Sequence, residues 1–474
     1  MLITLIQKEM MHHILSVRFV ALLLMCVLLI PLTLSINYRH YRQNQVDYQE
    51  AVKRASAEAK EAPPNAQDPD KEVSKLYLNP TPLSVFANGL EEALPTYLGM
   101  TRNGVRRGST TLAEAPLSYA LGHLDFLFVV STVFSLLALL FTFDAVAGER
   151  EAGTLRITLA NALPRDLFLW SKLIGGYIVF VIPFLVSFLF GLLVLVWQGF
   201  PLGESDIFPQ VLSLTGASML YIAVFFSIGT VISTYLDDSK TALIVAFTVW
   251  VFAVLIAPRA GFVTAKLIAP TRTVQSVYME KTAIRNNLNV EKDEEITKKI
   301  MEATGGRIEI RTDGEDSLQK LREPIEREYR LKFENQANKI DRAYQREKAR
   351  QESVGETLSR ITPTSSLTFL VMNLTQTGKL KRDAYFQTGE SYYAQLNTDY
   401  FSHISDDPFA QMMQIAVRMN PSQSGDEKIA PPPNLVVTSL GEMLRQSTVD
   451  VLLLCFFAVA LTTVAFLKFF RTDI

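Results

Sequence analysis

Six runs of this sequence are too long and too apolar for ordinary core helices, and they dictate a chain folded back and forth across a bilayer. Crossing the hydrocarbon region takes about 20 mostly apolar residues per helix. The runs are Phe19–Ile36 (within 14–36), 121–143, 167–197, Val211–Tyr235, Thr241–Ala257 and Val449–Phe470. The first has a basic start like a signal peptide. It is too long for one, and Asn37-Tyr38-Arg39 follows where small cleavage-site residues would stand, so it reads as a retained membrane helix. The bulk composition, 49% hydrophobic and 20% charged, is only an average over very apolar runs and very polar stretches.

Between the second and third runs lies a short charged segment rich in turn signals, residues 144–172. It contains Gly148-Glu149-Arg150-Glu151, then Gly153-Thr154-Leu155-Arg156, then Pro164-Arg165-Asp166. Leu155, Leu159 and Ala162 fall at helical spacing, which predicts a short amphipathic helix starting near Gly153-Thr154 and stopping at Pro164. Such a helix suits a membrane surface, as an elbow that a second protein grips.

The elbow reads F-x-F-D-x-x-x-G-E-R-E-x-G-T-L-R-x-x-L, then P-R-D and Lys172 opening the next helix. This pattern resembles the coupling segment of ABC-2-type ABC transporter permeases, in the subgroup with a large extracytoplasmic insertion before the last membrane helix. The resemblance is specific over about residues 121–200 and agrees in topology elsewhere. It implies a permease subunit that is not itself an enzyme. A separate P-loop ATPase subunit would carry ATP and Mg, leaving no cofactor in this chain. It further implies a second permease copy, identical or not, and a bacterial inner membrane. The ATPase-facing residues would be Asp144, Gly148, Glu149, Arg150, Glu151, Gly153, Thr154, Leu155, Arg156 and Leu159. Their movement would drive export, or mechanical work on an extracytoplasmic partner.

Basic residues set the expected orientation. The elbow carries Arg150, Arg156, Arg165 and Lys172, and both terminal segments carry Lys or Arg, whereas the 199–210 loop carries only Glu204 and Asp206. The positive-inside rule then puts both termini, the elbow and the 236–240 turn in the cytoplasm. Residues 37–120 and 258–447 fall outside. The expected fold class is therefore an all-α polytopic membrane protein, six transmembrane helices with a mainly helical extracytoplasmic domain. Its parts are a lead and first helix (1–36), a first outer region (37–120), the second helix (121–143), the coupling segment (144–172), three more helices (173–257), the large outer domain (258–447) and the last helix with its tail (448–474).

In the first outer region, Gln45–Glu61 reads as helix ended by Pro63-Pro64, and Leu83–Leu98 as a short amphipathic helix. In the second, Thr273–Thr304 reads as helix stopped by Gly305-Gly306. Leu318, Leu321, Ile325, Tyr329, Phe333, Ala337, Ile340 and Tyr344 then form an apolar stripe, with Pro324 starting or kinking the helix. That stripe fits packing on another helix of the same domain; a coiled coil with a second subunit is the sharper alternative, though the heptad is not strict. Residues 361–378 are apolar but too short to span, hence re-entrant or surface-docked. The aromatics from Tyr385 to Phe401 fit a domain core better than a binding face, and 420–434 reads as an extended strap.

Chemistry is sparse. No Gly-x-x-x-x-Gly-Lys-Ser/Thr loop, His-Glu-x-x-His or Gly-x-Ser-x-Gly occurs, and the five histidines are scattered, so neither nucleotide hydrolysis nor a metal site is indicated. A net charge of −2 argues against nucleic acid. Cys26 and Cys455 sit in apolar runs as packing residues. Asp125 and Asp450, near the outer ends of their helices, are weak candidates for a substrate path. Gly175-Gly176, Pro183 and Gly191 would let the third helix bend or pack closely. The alternative reading from another class, a non-transporting sensor or scaffold whose outer domain binds a ligand or protein, has no need of the charged elbow.

Overall fold

The computed structural model describes residues 2–61, 71–102, 104–111, 124–160, 164–204, 206–304, 315–401, 431–435 and 438–471. Six helices are long and apolar enough to cross a membrane, and the chain is an all-α polytopic membrane protein. It forms two compact units, Met1–Leu255 with Thr362–Ile474, and Ile256–Ile361.

The first unit begins with α1 (Leu2–Ile14) and α2 (Val17–Glu61). The expected first span and the expected Gln45–Glu61 helix are one continuous 45-residue rod. No residue between Ile36 and Gln45 breaks a helix, so the polar half simply extends the apolar one. Then come α3 (Phe126–Phe128, π-helical over Val129–Phe134, α-helical again over Ser135–Thr142), α4 (Ala147–Glu151), α5 (Thr154–Ala160) and α6 (Arg165–Trp197). Next are α7 (Ile207–Tyr235) and α8 (Ser239–Trp250, running into π-helical Val251–Ile256). Phe126, Phe134, Phe141, Phe180, Phe184, Phe188 and Phe226 interlock at centroid distances of 5.1–6.3 Å to join α3, α6 and α7. Gly191 is what lets α2 approach α6, since a Cβ there would stand 2.9 Å from Leu34 Cδ1. Cys26 packs in this core, whereas Cys455 lies on the exposed face of the last span.

At the Phe126 end of the spans the structure departs from the helical expectation. Leu83–Leu98 is not an amphipathic helix but 3₁₀ turns (Pro82–Val85, Glu91–Ala93) leading into a sheet. The sheet is antiparallel, β1 (Ser74–Tyr77), β2 (Tyr97–Thr101) and β3 (Gly104–Arg107), in that order, with Leu76 opposite Leu98 and Met100 opposite Val105. Gly89, at φ +57°, and Pro95 deny the stretch a continuous helix, and Tyr97-Leu98 takes the strand instead.

The second unit holds α9 (Ala257–Ile268), α10 (Val274–Thr304) and α11 (Glu315–Ser359). The stripe expected on α11 packs on α10 of the same unit: Ile325 and Tyr329 bury against Leu288 and Ile296. Bonds from Lys281 to Asp341 and from Tyr329 to Glu295 make the pair antiparallel. Pro324 sits inside α11 rather than starting it. Gly261 and Gly355 bring α9 and α11 together; a Cβ on either would stand 2.5–2.6 Å from Ser359 Oγ or Phe262 Cδ1. The expected Gly305-Gly306 stop, the Pro63-Pro64 stop, Ala162 and most of the 420–434 strap lie outside the described residues.

The chain then returns to the first unit with α12 (Pro363–Leu374), α13 (Lys379–Asp399), α14 (Leu440–Gln446) and α15 (Thr448–Phe470). Of the residues expected in the large outer domain, those up to Ile361 lie in the second unit and those from Thr362 in the first. At about 18 Å, α12 is too short to cross. Its Leu367, Leu370, Val371 and Leu374 bury in the same core as the spans. On α13, Tyr385, Tyr392 and Leu396 cover the sheet residues Leu76, Leu98 and Met100, so this aromatic stretch is core.

Candidate functional site: the elbow between the second and third spans

The elbow is a double reversal. Helix α3 ends in the turn Phe143–Val146, and α4 follows for five residues. Gly153, at φ +73°, then reverses the chain into α5; the left-handed conformation there is one glycine adopts without a Cβ penalty. Thr154 donates its hydroxyl to the Glu149 carbonyl and carboxylate, which ties the two short helices across the turn. Leu155, the inward residue of α5, buries with Val146, Phe168, Leu169, Ala465 and Phe469.

Polar contacts tether the elbow on every side. Arg18 donates two hydrogen bonds to Asp144, at 2.8 and 2.7 Å, in the two-pronged geometry that makes such pairs strong. Lys172, 7% exposed, places Nζ 2.8 Å from Glu149 Oε1 and 3.0 Å from Glu9 Oε2. Ser233 Oγ accepts from the Val146 and Ala147 N–H groups at 2.9 and 3.0 Å. Arg150 reaches the Leu236 carbonyl and Asp237, and Glu151 accepts from the Ser239 N–H. At the far side, Arg165 donates to the Phe470 carbonyl at 2.9 Å. The elbow thus touches α1, α2, α6, α7, the α7–α8 turn and α15. A displacement of it bears on the ends of several spans at once.

The ten residues expected to face an ATPase are split by the fold. Glu151, Gly153, Thr154 and Arg156 are exposed. Asp144, Gly148, Glu149, Arg150 and Leu159 are half-buried, and Leu155 is 1% exposed. The charged members therefore serve largely to hold the elbow in place. Ile157, 66% exposed beside Arg156, completes the outer rim and was not among the expected residues. Glu9, Arg18 and Ser233 were also missed. Only their charge or hydroxyl in an otherwise apolar setting could have marked them.

Neither weak substrate-path candidate lies near the elbow. Asp125 caps α3, accepting from the Phe128 N–H at 2.7 Å and the Asn88 N–H at 3.1 Å. That is the work of an N-cap, which satisfies amides the helix leaves open. Asp450 is fully buried in the first turn of α15.

Six spans, with a charged, multiply tethered elbow between the second and third, define a polytopic membrane protein. The chain belongs to the ABC-2 family of transporter proteins, whose family model matches residues 3–474. It is also similar to the probable ABC transporter permease protein NosY of Pseudomonas aeruginosa, 30% identical over 151 residues. That match covers 29% of this chain and 54% of the relative, so the chain spans about half the length of the curated relative it matches.

Proposed function

We infer that this chain is the permease subunit of an ABC transporter, and that the exposed rim of its elbow docks on a separate P-loop ATPase. The observation that carries this reading is the two-sided character of the elbow. Glu151, Gly153, Thr154, Arg156 and Ile157 face outward, while the inner side is fastened to the spans by ion pairs and by Leu155. An outer rim on a tethered base suits a force-transmitting contact, and membership of the family supports an ATPase as the source of force.

The distribution of Lys and Arg supports a cytoplasmic elbow and termini with the sheet module outside, and the family likeness supports a bacterial inner membrane. A second permease copy completes the pathway. ATP and Mg belong to the ATPase, and binding of ATP moves the elbow against the span ends. The chain then exports a substrate or works on an extracytoplasmic protein through its outer parts.

The test is co-purification with P-loop ATPases from the native host, comparing wild type with Arg156→Glu plus Ile157→Asp. Both side chains are exposed, so the pair removes the rim and leaves the inner tethers. Recovery of an ATPase with wild type and its loss in the variant is the expected result. Equal recovery with both would move the docking site off the elbow, and no ATPase with folded wild type would overturn the reading.

A further inference from the structure

The elbow is held at both of its ends by one short piece of chain. Arg18 grips Asp144, where α3 gives way to the elbow, and Glu9 grips Lys172, in the opening turns of α6. Glu9 and Arg18 stand nine positions apart in sequence, whereas the partners they reach, Asp144 and Lys172, begin and end the elbow. The fit between is close. A Cβ on Gly175 would stand 2.9 Å from Glu9 Cβ and 3.3 Å from the Ile6 carbonyl, so only glycine seats α1 on α6 there. His13 stacks on Phe141 at 5.6 Å, and Arg18 lies 4.8 Å over the Phe143 ring. Glu9 is almost fully buried, a place a carboxylate occupies only when paired.

We propose that Glu9 and Arg18 are positioning residues, a two-ended clamp by which the N-terminal segment sets the elbow in its docking geometry. This rests on the coupling reading. Without the clamp, α4 and α5 keep the Ser233, Arg150, Leu155 and Glu149–Lys172 contacts but lose the two charged anchors that tie Asp144 and Lys172 to the N-terminal segment. Residues far from the docking rim in sequence thereby govern the shape the rim presents.

The test is hydrogen exchange at the elbow amides 146–160 in the full chain in nanodiscs, with no ATPase present. Arg18→Gln and Glu9→Gln are each expected to speed exchange there about fivefold or more, because local opening follows the contacts that close it. The swapped pair Arg18→Asp with Asp144→Arg is expected to return exchange to within about twofold of wild type, as restored charge complementarity requires. Unchanged exchange in the single variants would overturn the clamp. So would fast exchange that the swap does not restore, since that marks generic packing. Exchange in α7 serves as the folding control. Should Arg18→Gln not fold, Arg18→Lys takes its place: it keeps the charge and loses the two-pronged geometry, so faster elbow exchange supports the clamp and wild-type exchange overturns it. The measurement is made on the chain alone, so the clamp and the docking rim fail or stand separately.

Discussion

At the scale of single residues, burial separates what holds the elbow from what it displays. Leu155 packs against Phe168 and Phe469, so Leu155→Ala is expected to lower stability by about 2–4 kcal/mol, as deletion of a buried leucine does. A drop in thermal midpoint with Arg156→Ala left near wild type would verify the division; equal effects would contradict it. His13 offers a pH signature. Burial above all lowers its pKa from 6.5 to about 4, with His12 and Lys172 acting in the same direction and Glu9 and Asp144 against. A histidine whose folded pKa is depressed binds its proton more readily when unfolded, so its contribution is full above pH 6.5 and is lost as pH falls toward 4. The thermal midpoint of wild type should therefore decline across that window, and a His13→Gln variant should decline less. Parallel curves would show that His13 is not held neutral by its site.

Among the elements, the α10–α11 pair has a small core of its own, built on Leu288, Ile296, Ile325 and Tyr329. A buried charge there has no partner, so Leu288→Asp is expected to open this hairpin alone. Proteolysis and hydrogen exchange should rise across 274–359 while α7 keeps its protection. Spread of the damage into α7 would mean that the two units unfold as one. This stripe was readable in the sequence, because a helix with apolar residues at three- and four-residue steps has to bury one face. What the stripe met was not readable, because the same pattern serves an intramolecular neighbour or a second subunit. The first outer region was misread for a local reason. Leu83–Leu98 has helical composition, but Gly89 at φ +57°, Pro95 and the pairing of Tyr97–Thr101 with two other strands break it into turns and sheet.

For the whole molecule, the consequential arrangement is the return of α13 to a sheet laid down some 300 residues earlier in the chain. Tyr385 donates to the Leu76 and Pro95 carbonyls, and Gly389 leaves room for Leu98, whose Cδ1 would stand 2.5 Å from a Cβ. Gly389→Val should therefore expose the sheet. Faster exchange in 74–107 without loss of the spans would verify that α13 covers it; unchanged exchange would deny it.

The sequence by itself determined the spans, their number and the place of the elbow, because a bilayer leaves little freedom to 20-residue apolar runs and because glycine and charge mark a turn locally. It also carried the family, in the residues from Asp144 to Lys172. The tertiary structure decided which elbow residues face outward and which are spent on tethers. It also decided that Glu9 and Arg18 reach the elbow at all, that α12 packs among the spans, and that two segments far apart in the chain make one module. These rest on contacts between residues far apart in the chain, 87 positions for Val146 with Ser233 and 126 for Arg18 with Asp144. No local pattern specifies such a contact, since any buried lysine will take whichever carboxylate the packing of apolar surfaces brings within reach.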